Sequence, residues 1–134
     1  MEHAQFEMLV HQYSDTIYRV AYQALKNRAD AEDVVQTVLL KLFERSASFE
    51  SPQHIRNWLL HVTVNECRKV LRTPWRKRIF SLEEGRDEPV FDNSAQSELF
   101  AAVMALPRNY RMAVYLFYYE ELSTEEIAKA LSAK

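Results

Sequence analysis

The sequence has 134 residues, 48% apolar and 12% aromatic, which excludes a disordered chain and supplies enough apolar surface for one domain or two small helical ones. A single glycine and four prolines leave few positions for tight hairpins and none for a glycine-rich phosphate loop, so the composition predicts an all-α fold. The formal charge of -2 excludes a general affinity for nucleic acid, although such an average can conceal a local basic patch.

Taken in order, the chain first predicts a helix from Gln5 to about Lys26, where Phe6, Leu9, Val10, Tyr13, Ile17, Val20, Ala21 and Ala24 keep helical spacing. Asn27-Arg28-Ala29 is a short polar break, and a second helix, Asp30 to Glu44, is expected to fold back on the first. Asp30 is the expected cap of that helix, with Glu32 and Asp33 favoured by the dipole. Val35, Val38, Leu39, Leu42 and Phe43 are expected to face the core, leaving Glu32, Asp33, Gln36 and Thr37 outward.

Ser46 to His54 has no helical stripe and predicts a loop. The pattern resumes from Ile55 to Arg72 with a basic second half, and Pro74 bars its continuation. Arg68, Lys69, Arg72, Arg76, Lys77 and Arg78 form a cationic run, open to two readings: a helix end favoured by the dipole, or a patch that contacts phosphates. Trp75 beside them could anchor on apolar surface or stack on a base. Acidic residues, Gly85 and Pro89 then mark residues 75–95 as a flexible linker between two small helical domains, 1–74 and 96–134.

The second domain predicts a helix from Ser97 to Leu106, Pro107 in the first turn of another that runs to Tyr119, and a last helix capped by Ser123. Tyr115, Phe117, Tyr118 and Tyr119 read as a small core. Glu126 completes a capping box with Ser123, and Leu122 to Leu131 reads as the first helix of a helix-turn-helix. Such a motif reads duplex DNA with its second helix, which does not follow before Lys134; truncation is the expected explanation.

Lone Cys67 excludes an internal disulfide, and neither a signal-peptide pattern nor an apolar run long enough for a bilayer is present, so a cytoplasmic protein without membrane insertion is expected. His3, His11, His54, His61 and Cys67 are the only soft ligands, and none forms an i, i+4 metal pair with an adjacent acid. No nucleophile and base are paired either, so no enzyme, metal, cofactor or small-molecule substrate is expected.

Three blocks carry a resemblance: Asp30-Ala31-Glu32-Asp33-Val34-Val35-Gln36; Ile55-Arg56-Asn57-Trp58-Leu59-Leu60 followed by Val64-Asn65; and Ala105-Leu106-Pro107-Arg108 followed by Leu122-Ser123-Thr124-Glu125-Glu126-Ile127-Ala128. In this order the chain resembles the extracytoplasmic-function group of bacterial RNA polymerase sigma factors over nearly its whole length. The resemblance implies a non-enzymatic initiation subunit, whose first domain (region 2) binds core RNA polymerase and the minus-ten element of promoter DNA. The second (region 4) binds the minus-thirty-five element and the polymerase flap. It implies that Asp33, Gln36 and Thr37 contact the coiled coil of the largest polymerase subunit, with Thr37 standing where a Glu is often found.

By the same resemblance, the loop from Ser46 and the helix from Ile55 form the minus-ten reading unit, which captures an unpaired base. Ile55, Arg56, His61, Asn65, Arg68, Lys69 and Arg72 are its implied DNA-binding residues, Ile55 standing where relatives can carry an aromatic. Ser123, Thr124, Glu125, Glu126, Ile127 and Ala128 belong to the first helix of the helix-turn-helix, and a cognate anti-sigma factor is the implied restraint. The competing reading is a helix-turn-helix regulator that binds duplex DNA independently of polymerase, which leaves Asp33, Gln36 and the basic helix end without a role.

Overall fold

A computed structural model describes residues 1–45, 47–73 and 94–132. Six α-helices and no strand are found among the described residues: α1 (His3–Leu25), α2 (Arg28–Glu44), α3 (Pro52–Leu71), α4 (Ser94–Met104), α5 (Arg108–Tyr118) and α6 (Thr124–Ser132). Ser46, Trp75 and the cations Arg76, Lys77 and Arg78 lie outside them, as does the acidic part of the expected linker.

The α1–α2 connection is tighter than the sequence suggests. Lys26 adopts φ 50°, a left-handed conformation that closes α1 with a bond from its N–H to the Tyr22 carbonyl, and Asn27 already caps α2. The Asn27 side chain accepts from the Asp30 N–H at 2.9 Å, so the cap is Asn27 and not Asp30, which is only 3% exposed inside the first turn. The buried stripe of α2 keeps Val38 and Leu42 as expected and adds Ala31 and Val34. Ala31, Val34, Val38 and Leu42 are buried, Val35 and Leu39 are half-buried, and Phe43 is 45% exposed with its ring set edge-on to Phe6.

The expected loop is also shorter. Ser51 accepts from the His54 N–H at 3.1 Å and Pro52 occupies the first helical position, so α3 begins at Pro52, three residues before Ile55. Its Leu59, Leu60, Val64 and Cys67 close a three-helix core with Ile17, Val20 and Leu25 of α1. In the second unit α4 begins at Ser94, earlier than Ser97, and Pro107 is the residue before α5 rather than part of its first turn. Tyr115 is buried and Tyr119 stacks on it at 4.6 Å, whereas Phe117 and Tyr118 are exposed and take no part in a core. The capping box forms as the spacing predicts: Glu126 N–H donates to Ser123 Oγ at 3.1 Å, and Ser123 N–H to Glu126 Oε1 at 2.8 Å.

The two units are docked. Val103, Met112, Tyr115, Leu116, Leu122 and Ile127 join the buried cluster built by α1–α3, and α5 lies along α1 while α6 lies along α3. Among the described residues no helix is long and apolar enough to cross a membrane.

Candidate functional site

Two surfaces of the first three helices carry expected site residues. On α2, Asp33 and Gln36 are exposed and Thr37 is half-buried, with its hydroxyl donating to the Asp33 backbone carbonyl at 3.0 Å. Three or four residues on, Leu40 is 57% exposed. The face therefore runs from carboxylate through amide to an apolar end, on a helix whose opposite side is fixed in the core. Leu40 is a member that the sequence reading missed, although its spacing from Gln36 and Thr37 places it on the same face.

The second surface lies between the end of α2 and α3, where an open groove of about 420 Å³ is lined by Asn65, Arg68, Lys69 and Arg72. Four of the expected DNA-binding residues thus come together. The groove's remaining walls were not legible: Lys41 and Glu44 come from α2 and Arg45 from the residue that ends it, while α3 adds Glu66 and the apolar surface of Trp58 and Val62. The guanidinium of Arg45 lies 4.3 Å from the Phe49 ring centre and 5.2 Å from that of Trp58, while Phe49 meets Trp58 edge-on at 5.7 Å. Cations interleaved with aromatic faces are the physical means by which single-stranded nucleic acid is held. Lys69 does not act as an isolated charge, because its Nζ and that of Lys41 stand 3.2 and 3.3 Å from the same Glu66 Oε2.

Ile55 faces elsewhere. It lines a neighbouring open cavity of about 370 Å³ with Phe49, Arg45 and the 47–52 segment, whose backbone is tied by a bond from Glu50 N–H to His54 Nδ1 at 3.0 Å. His61 is half-buried and lines neither cavity. Arg56 is turned away from both, toward the α5–α6 turn: its Nη2 donates to the Glu120 backbone carbonyl and lies 3.2 Å from Glu120 Oε1.

Thr124 and Glu125 are exposed at the start of α6, Ile127 is buried beneath them, and Ala128 is exposed. The Glu126 carboxyl is held below the usual carboxylate range, first by the Ser123 backbone N–H and then by the Asn57 side chain. Burial pushes the Cys67 thiol up to about 12, which makes it inert as a nucleophile. No group of three or more His, Cys, Asp or Glu suited to a metal is found among the described residues.

Two family models match this chain, sigma-70 region 2 over residues 9–77 and sigma-70 region 4 over residues 96–134. The ECF RNA polymerase sigma factor SigE of Mycolicibacterium smegmatis is 34% identical over 96% of this chain and 54% of its own length. The RNA polymerase sigma-E factor of Streptomyces coelicolor is 31% identical over 95% of the chain and 73% of its own length, and SigV of Bacillus subtilis 27% identical over 87% and 72%. The chain thus spans about half the length of SigE and nearly three quarters of the other two. Region 2 brackets the exposed α2 face and the cationic groove, region 4 brackets the capped α6, and with relatives aligned along nearly all of it the chain belongs to the extracytoplasmic-function group of sigma-70-type RNA polymerase sigma factors.

Proposed function

We propose that this chain directs core RNA polymerase to promoters and takes part in melting them, as a cytoplasmic initiation subunit that catalyses nothing itself. The observation that carries this reading is the groove that Asn65, Arg68 and Arg72 line together with Arg45 and Trp58, the Arg45 guanidinium lying 5.2 Å from the Trp58 ring centre. It offers phosphate contacts and a stacking platform without any hydrolytic group, as capture of an unpaired strand requires. The cavity beside Ile55, floored by Phe49, suits the extruded base. Asp33, Gln36 and Thr37 dock polymerase, residues 1–74 and 96–134 serve as regions 2 and 4, and 75–95 link them.

The test is a salt titration of a polymerase-bound chain on a single-stranded minus-ten oligonucleotide. Replacing Arg68 and Arg72 together by Gln lowers the slope of log affinity against log salt by about 1.4, because each phosphate contact on a single strand contributes roughly 0.7. An unchanged slope removes the groove from the reading. An anti-sigma factor is the proposed restraint, supported by the exposed α2 face that it would share with polymerase. If no protein co-purifying with the chain competes with core polymerase, that part is withdrawn.

A further inference from the structure

We propose that Lys41, Lys69 and Glu66 form a clamp for one backbone phosphate of a single DNA strand, with Glu66 as the positioning residue that holds the two lysines together. The inference rests on the reading of the groove as a strand site and gives Lys41 and Glu66 a part in it.

The two ammoniums come from different helices, Lys41 from α2 and Lys69 from α3, and meet at a single atom. Lys69 Nζ donates to Glu66 Oε2 at 3.2 Å, and Lys41 Nζ stands 3.3 Å from the same oxygen. Burial is divided unevenly among the three. The Glu66 side chain is 12% exposed, whereas those of Lys41 and Lys69 are 43% and 57% exposed. The carboxylate is thus the covered member and the cations are open to solvent, on the groove that Asn65, Arg68 and Arg72 also line. An ammonium has three N–H donors, so one carboxylate oxygen does not exhaust the pair. Donors remain for an anion in the groove.

A tie between α2 and α3 needs only Lys41 and Glu66. Lys69 lies one turn from Glu66 on the same helix, so its place on that oxygen joins no helix to another. What it does is bring a second cation beside the first. Two ammoniums this close repel, and each is carried on a long stem rich in rotamers, so without a shared partner they spread apart. Glu66 offsets both costs before a ligand arrives, which is the effect of preorganisation. The charge fits as well. Two lysines and one carboxylate carry one net positive charge, and a phosphodiester brings one negative charge with an unesterified oxygen for each ammonium. A phosphate contact fixes the register of a strand without reading its sequence. Arg45 lines both this groove and the cavity beside Ile55, so a strand registered at the clamp runs next to the cavity proposed for the extruded base.

The test uses the polymerase-bound chain and a single-stranded minus-ten oligonucleotide, with affinity read by fluorescence anisotropy across a salt series. Glu66→Ala makes the groove more positive, so a carboxylate that only opposed the strand would, on removal, tighten binding. The clamp predicts the reverse, a loss of about tenfold. In a chain already carrying Lys41→Gln, adding Glu66→Ala is expected to change affinity by less than about twofold, because no pair is left to hold. Lys41→Gln with Lys69→Gln is expected to lower the slope of log affinity against log salt by about 0.7, the share of one phosphate, rather than by about 1.4. A scan that places a neutral methylphosphonate at each linkage in turn leaves the protein unaltered, and it decides the matter even if circular dichroism shows Glu66→Ala unfolded. One linkage is expected to weaken the unaltered chain about tenfold and the Lys41→Gln, Lys69→Gln chain less than twofold. Tighter or unchanged binding by a folded Glu66→Ala chain, a slope loss near zero or near 1.4, or a scan without such a linkage overturns the clamp and leaves the groove as a strand site. An unaltered polymerase-bound chain that does not bind the strand at all overturns the groove reading and the clamp with it.

Discussion

Replacing Asp33 by Arg together with Gln36 by Ala is expected to weaken binding to core RNA polymerase by roughly thirtyfold or more while leaving the circular dichroism of the free chain unchanged. Both positions are exposed on α2, and the buried side of that helix, Ala31, Val34, Val38 and Leu42, is untouched by the change. A reversed charge within a desolvated interface loses its pairing and leaves the partner's charge unpaired, an effect of about 2–5 kcal/mol. Thr37→Ala is the milder companion, because its hydroxyl is already spent on the Asp33 carbonyl within the helix. Titration of labelled protein with core polymerase reads the loss. Loss of helical content would instead return α2 to the role of a core helix with a solvated edge.

Arg111→Leu is expected to cost about 3–5 kcal/mol in chemical denaturation, a large effect for a conservative change of bulk. Arg111 is only 3% exposed, and its guanidinium reaches the Met104 and Leu106 carbonyls at the end of α4 and the Ala24 carbonyl near the end of α1. Helix ends leave carbonyls without intrahelical partners, and burying them unpaired is penalised at each one. Arg108→Ala is the control: Arg108 contacts the same Ala24 carbonyl from an exposed position, where water replaces the bond, and it should change stability by less than about 1 kcal/mol. Equal losses from the two would mean that Arg111 is not the joint between the helix ends.

Local signals in the sequence were read well where two of them agree. Ser123 and Glu126 specify the start of α6 from both sides, and both of their bonds form. Where two candidates compete within a turn, sequence alone chose wrongly: Asn27 and Asp30 are both good caps, and the left-handed Lys26 decides in favour of Asn27. Pro52 reads as a loop residue until Ser51 is seen to cap the helix that it opens. The α2 stripe was right at Val38 and Leu42, which are fully buried, but the helix turns so that Ala31 and Val34 are buried with them while Val35 and Leu39 are only partly covered and Phe43 is exposed.

The candidate site was legible where it lies along a single helix, as for Asn65, Arg68, Lys69 and Arg72. Lys41 from α2 and Arg45 from the residue that ends it enter the same groove, and only the folding of α2 on α3 brings them there. The contact between Arg56 and Glu120 joins residues 64 apart in the chain, across a stretch with no periodic signal, so no reading of spacing could have found it. That contact ties Arg56 to the turn between α5 and α6 and sets it apart from the groove residues Asn65, Arg68, Lys69 and Arg72.

The most direct measurement is initiation by core RNA polymerase on a template pre-melted over the minus-ten element, with and without this chain. Start-site-specific transcripts that need the chain, fall with salt and vanish with Asp33→Arg and Gln36→Ala are the expected result. A chain that leaves polymerase output unchanged, fails to bind the core enzyme and yet binds duplex DNA tightly on its own would contradict it.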